Sequence, residues 1–173
     1  MSYVEFYKYH GAGNDFILID NRSGTLTVTT ETIAHWCHRN YGVGADGLML
    51  LEAPNVEGDH FYMQYFNSDG RESTMCGNGG RCIARFAVDL GIAAEGTLNF
   101  HAIDGPHTAV VSQSSVALSM IDAPAVISRN NGFFIDTGSP HHVEHREPGP
   151  DFVGTARPIR NAYGPEGANV NFI

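Results

Sequence analysis

Apolar residues along this chain fall in short runs separated by clusters of Gly, Asp, Asn and Pro. Runs of that length, bounded by turn residues, predict strands over 4–9, 16–20, 48–52, 61–66, 97–101, 108–112, 116–120 and 133–137. Two segments follow the helical period instead. Over 29–40, Ile33, Trp36 and Cys37 share a face, with Glu31 in the first turn and His38 and Arg39 in the last, where they complement the helix dipole. Over 80–90, Ile83, Phe86, Ala87 and Leu90 recur at helical spacing, and Gly91 supplies the stop. The pattern predicts an α+β fold with mostly antiparallel strands around few helices.

The pattern also echoes itself. An early strand leads into His10-Gly11-Ala12-Gly13-Asn14-Asp15-Phe16, and the strand at 133–137 leads into Gly138-Ser139-Pro140-His141-His142-Val143. Gly42-Val43-Gly44-Ala45-Asp46-Gly47 precedes a strand, and the second half has Glu166-Gly167-Ala168-Asn169-Val170-Asn171-Phe172 in the corresponding place. The first half then continues to a cysteine-bearing glycine cluster, which the second half lacks. This predicts two related units, 1–114 and 115–173, joined near 112–115, the second of them unfinished.

Charge narrows the function. Ten Lys and Arg against 19 Asp and Glu leave a formal charge of −9, which argues against nucleic-acid or polybasic membrane binding. No apolar stretch approaches the roughly 20 residues of a spanning helix, and the N-terminus lacks an export pattern, so a cytoplasmic protein is expected. The single lysine, Lys8, argues against pyridoxal chemistry, which needs a lysine Schiff base. Cys37, Cys76 and Cys82 form neither an even set nor a CxxC pair and read as thiols.

The strongest chemical feature is residues 75–82, MCGNGGRC. Cys76 stands on a glycine-rich loop just before a predicted helix, whose free amides and dipole favour a thiolate able to act as nucleophile or base. The glycines would let backbone N–H groups approach a carboxylate or phosphate. The competing reading is a tight turn around a structural cysteine. Cys82, inside the helix, and Cys37, beside Trp36, read as core. Asn67 and Asn14 sit in turns where an amide either meets a ligand or only satisfies the turn.

Three motif matches are set aside. Residues 42–47 fit GxGxxG, but they follow a helix and precede a strand, the reverse of the dinucleotide fingerprint. Residues 141–145 fit the HxxEH zinc pattern, which requires a helix, yet proline and glycine bracket them; no metal is expected there. His35 and His38 fall at a helix end, where cationic residues are common.

Taken together, the blocks at 8–16 (KYHGAGNDF), 42–47 (GVGADG), 67–70 (NSDG), 75–82, 102–107 (AIDGPH), 138–143 (GSPHHV) and 166–172 (EGANVNF) resemble, in order, those of the diaminopimelate epimerase family. The resemblance implies strands wrapped around a central helix, in one complete domain plus part of a second pseudo-symmetric one. It implies an isomerase without cofactors that interconverts LL- and meso-diaminopimelate for lysine and peptidoglycan precursors. Two cysteines on opposite faces of the substrate α-carbon share the reaction, one removing the proton and the other returning one; a single base would tend to return it to the face it left. By matching position, Cys76 is the first of these, with His141 supporting it. Gly77 and Asn78 hold the reacting carboxylate, and Asn14, Asn67 and Asn169 bind substrate. Ser139 stands where many relatives have asparagine and Gly47 where some have glutamine, so those contacts are not carried over.

The family continues past the Asn169 block to a loop bearing the second cysteine, and the sequence stops before it. The expectation is therefore a truncated two-base site and negligible epimerisation by these 173 residues. Its partner is a small amino-acid substrate, with a homodimer as the expected assembly. Two alternatives stand beside this: a hydroxyproline-type epimerase of the same superfamily, and a non-catalytic binding domain with an occluded Cys76.

Overall fold

The adjacent runs Phe16-Ile17-Leu18-Ile19 and Leu48-Met49-Leu50-Leu51 set the layering of the first unit, because alternate side chains of a strand face opposite ways. A computed structural model of the chain describes residues 3–120, 122–123, 125–129, 131–165 and 167–173. The chain divides into two compact units, Met1–Met120 and Ile121–Ile173.

In the first unit the order is β1 (Tyr7–Gly11), β2 (Asn14–Asp20), α1 (Thr30–Cys37), β3 (Gly47–Glu52), β4 (Phe61–Asn67), α2 (Gly77–Asp89), β5 (Gly96–Ala102), β6 (Gly105–Val111) and β7 (Val116–Leu118). The strands form one sheet in sequence order, antiparallel except for the parallel pairs β2–β3 and β4–β5. Phe16, Leu18, Met49 and Leu51 point to one face, where they meet Ile83, Ala84, Phe86 and Ala87 of α2. Ile17, Ile19, Leu48 and Leu50 point to the other, against Ile33 and Cys37 of α1. Burial on both faces explains why these two strands read as continuous rather than alternating apolar runs. Helix α2 touches both edge strands, β1 and β7, as well as β2, β3 and β6. The sheet thus wraps around a central helix, as the resemblance implied.

Helix α1 ends at Cys37, short of the expected residue 40. His38 is extended, and its Nδ1 accepts the N–H groups of Asn40 (3.1 Å) and Tyr41 (3.2 Å), which gives the turn an alternative to further helix. At the other end, Thr29 Oγ1 accepts the Thr32 N–H and caps the start. Helix α2 begins at Gly77, three residues before the expected start at residue 80. Its opening turn is sunk into the sheet: a Cβ at Gly79 would lie 3.1 Å from Met49, and one at Gly80 2.7 Å from Leu118. At either glycine a side chain would have to push the end of Met49 or Leu118 aside.

The second unit runs β8 (Ile127–Arg129), β9 (Gly132–Asp136), β10 (Pro140–Glu144), α3 (Phe152–Asn161) and β11 (Asn169–Phe172), with sheet order β11-β10-β9-β8. Strand β10 is antiparallel to β9 and parallel to β11, with α3 between them in sequence. The same sequence of pairings relates β1, β2, α1 and β3. The sequence echo is therefore a repeated β-β-α-β arrangement. Strand β7 pairs with β6 and belongs to the first sheet, so the units divide after Met120 rather than at the expected 114/115. The HxxEH segment lies in and just after strand β10. Among the described residues no helix is long and apolar enough to cross a membrane.

Candidate active site

Cys76 is the residue immediately before α2, in extended conformation, and it makes no side-chain cap to the helix. The first intrahelical bond is from Gly80 N–H to the Cys76 carbonyl (2.7 Å), so the N–H groups of Gly77, Asn78 and Gly79 have no partner within the helix. An anion placed there gains from those donors and from the dipole. A Cβ at Gly77 would meet nothing nearer than Met120 at 3.6 Å, so this glycine, unlike Gly79 and Gly80, is not demanded by packing. The Asn78 side chain turns back along the helix, its Oδ1 accepting from Arg81 at 2.5 Å.

The Cys76 thiol faces β2, with Sγ 3.8 Å from Asn14 Oδ1, a long S–H···O contact. The Asn14 amide nitrogen donates to Asp46 Oδ2 (2.8 Å), which also accepts the Asp15 N–H (3.3 Å). Behind this lies an ionic cluster. Arg39 reaches both Asp46 Oδ1 (2.7 Å) and Asp15 Oδ1 (2.8 Å), while Lys8 reaches Asp15 Oδ2 (2.7 Å) and the Gly44 carbonyl. Hydrogen bonds from Arg39 and Lys8 hold the Asp15 carboxyl well below the ordinary carboxylate range. Asp46 is likewise lowered, chiefly by the Asn14 amide. The single lysine is thus committed to an ion pair.

Asn67 ends β4 opposite Gly47, and its Oδ1 accepts from the Tyr65 hydroxyl at 3.0 Å. The Ser68 N–H donates to the Asp46 carbonyl (3.1 Å), tying the Asn67 turn to the Asn14 cluster. Tyr65 is buried, and burial first, with Cys76 and Asp46 nearby, raises its hydroxyl to about 12. It therefore acts as a neutral hydroxyl. The other two thiols differ from Cys76. Cys37 lies in the α1 core and Cys82 in the α2 core, and burial raises each to about 11.

In the second unit His141 and Asn169 are register partners on β10 and β11. Asn171 Nδ2 lies 3.1 Å from His141 Nδ1, which leaves the proton of a neutral ring on Nε2. Asn169 Nδ2 donates to the Pro140 carbonyl at 3.4 Å. His142 points the other way, buried, with Nδ1 2.7 Å from the Tyr163 hydroxyl. Glu166, from the last motif block, lies outside the described residues.

The first unit therefore brings together Asn14, Asn67, Cys76, Gly77 and Asn78, and the second sets His141 beside Asn169. Asp46, Arg39, Lys8 and Tyr65 were given no role at the site from sequence. The available signal was Asp46 within the 42–47 glycine block, which serves to brace Asn14.

Comparison with known proteins supports one family. The model of the diaminopimelate epimerase family matches residues 6–127. Diaminopimelate epimerase of Flavobacterium psychrophilum is 43% identical, the match covering 98% of this chain and 68% of that protein. The Chlorobaculum tepidum enzyme is 41% identical, over 94% of this chain and 67% of its own length. The chain thus spans about two thirds of these relatives. Among solved structures, a predicted epimerase from Pseudomonas aeruginosa superposes with TM-score 0.65 at 11% identity, covering 99% of this chain and 70% of that one. A hydroxyproline epimerase from Agrobacterium vitis gives 0.60 at 14%, covering 91% and 56%. These structural likenesses speak to the fold. The sequence matches extend through most of the chain, and the chain belongs to the diaminopimelate epimerase family.

Proposed function

We propose that these residues carry the first proton-transfer thiol of an epimerase interconverting LL- and meso-diaminopimelate. The observation that carries the reading is Cys76, placed directly before the unpaired first-turn amides of α2 and in contact with Asn14. In this reading the substrate carboxylate sits on the Gly77, Asn78 and Gly79 amides, where negative charge developing at the α-carbon is stabilised. A single preorganised donor of that kind is worth about 10²–10³ in rate. Cys76 exchanges the α-proton on one face. Asn14 and Asn67 orient the substrate from the first unit; His141 and Asn169, register partners in the second, keep the roles that their motif positions imply. Cys37 and Cys82 are buried and held protonated, so neither suits the opposite face.

The chemistry in this reading needs no cofactor, and its setting is the cytoplasm. A homodimer fits the apolar cleft of about 280 Å³ lined by Tyr3, Val4, Phe6, Trp36 and Val43, since apolar patches on soluble proteins commonly mark contacts. The test is a titration with LL-diaminopimelate, meso-diaminopimelate and trans-4-hydroxy-L-proline, followed by the backbone amide resonances of Gly77, Asn78 and Gly79. The diaminopimelates should shift them saturably and hydroxyproline much less. Absence of shifts, or equal shifts with hydroxyproline, would refute the assignment.

A further inference from the structure

We infer that Asp46 is a positioning residue that acts on Cys76 through Asn14, by fixing which end of the Asn14 amide faces the thiol. The inference rests on the reading of Cys76 as the working thiol. An amide side chain has a donating and an accepting end, and rotation by half a turn exchanges them. A carboxylate only accepts. Asp46 is ionised and held on both oxygens, Oδ1 by Arg39 and Oδ2 by the Asn14 amide and the Asp15 N–H. The Asn14 nitrogen must therefore face Asp46, which leaves Oδ1 toward Cys76 Sγ.

The consequence is chemical. An oxygen facing the sulfur accepts its proton and favours the thiol, whereas an N–H₂ group in the same place would donate to the thiolate. The start of α2, by contrast, presents only N–H donors. A proton-transfer thiol has to be both donor and acceptor in turn, and the Asn14 oxygen supplies the half that the helix start does not. Titratable neighbours of Cys76 include the neutral Tyr65 hydroxyl on β4 and the Cys82 thiol on α2. Among the described residues, the Asn14 amide nitrogen donates to Asp46, and that bond sets the orientation.

The test is the rate of Cys76 alkylation by iodoacetamide at neutral pH, mapped by peptide mass, in four proteins: the native chain, Asp46→Asn, Asn14→Ala and the double variant. Asp46→Asn lets the amide turn and present its nitrogen, so Cys76 should react about threefold or more faster than in the native chain. In the Asn14→Ala background the same substitution should change the rate little, because the amide is gone. An equal acceleration in both backgrounds would show that Asp46 acts by its charge alone and would overturn the inference. So would an unchanged rate in Asp46→Asn, or labelling of Cys37 and Cys82 in that variant, which would signal a loosened fold. Failure of the substrate assignment appears separately, as absent amide shifts with diaminopimelate, and leaves this coupling intact.

Discussion

Cys76 and Cys82 flank the opening turns of one helix, yet the first faces the Asn14 amide while the second is buried among Ile83, Phe86 and the sheet. Cys82 and Cys37, with thiols raised to about 11 by burial, carry thiolate at about one part in a thousand at pH 8. Brief treatment of the native protein with iodoacetamide should therefore label Cys76 alone. Peptide mapping that finds Cys37 or Cys82 labelled as fast as Cys76 would contradict the burial described here.

The Asp15 cluster sets an acid dependence. Its folded carboxyl is depressed by Arg39 and Lys8, so its stabilising effect is present above the unfolded value of about 4 and fades as pH falls through the folded value. Asp15→Asn should be less stable than the native chain at pH 7, and the gap should narrow below about pH 4. Urea midpoints measured across that range provide the check; a gap that stays constant with pH would count against the ion cluster.

The glycines of the cysteine loop separate into two kinds. Gly80→Ala pushes a methyl to 2.7 Å from Leu118 in a filled core, and overpacking should outweigh the better helix propensity, with a net loss of about 1 kcal/mol. Gly77→Ala makes only ordinary van der Waals contact, 3.6 Å from Met120, and should be neutral or raise stability by about 0.5 kcal/mol. Urea midpoints of the two variants should move in opposite directions, or only the first should move.

Much of the first unit was legible in sequence because β2 and β3 bury both faces as continuous apolar runs, while β4, β5 and β6 alternate buried with more exposed positions. The start of α2 was hidden, since Gly77, Asn78, Gly79 and Gly80 carry no apolar period and are placed by contacts with Met49 and Leu118. Helix α3 was missed for a different reason. It buries none of its residues and contains Pro158, so no face declared itself. Strands β8, β10 and β11 are short, and β10 hides its core position behind a histidine, His142, that is buried against Tyr163. At the site, Cys76, Asn14 and Asn67 were visible from their glycine-rich neighbours. The bracing by Asp46, Arg39 and Lys8 joins residues up to 38 positions apart (Lys8 to Asp46) and exists only once β2 and β3 are paired.

A Cys76 that lies where diaminopimelate binds, as proposed, should be shielded from alkylation by the substrate. Iodoacetamide labelling of Cys76 should slow saturably with added LL-diaminopimelate, by about tenfold at ten times the dissociation constant, and hydroxyproline at the same concentration should protect far less. A labelling rate unchanged by diaminopimelate at any concentration would contradict the claim.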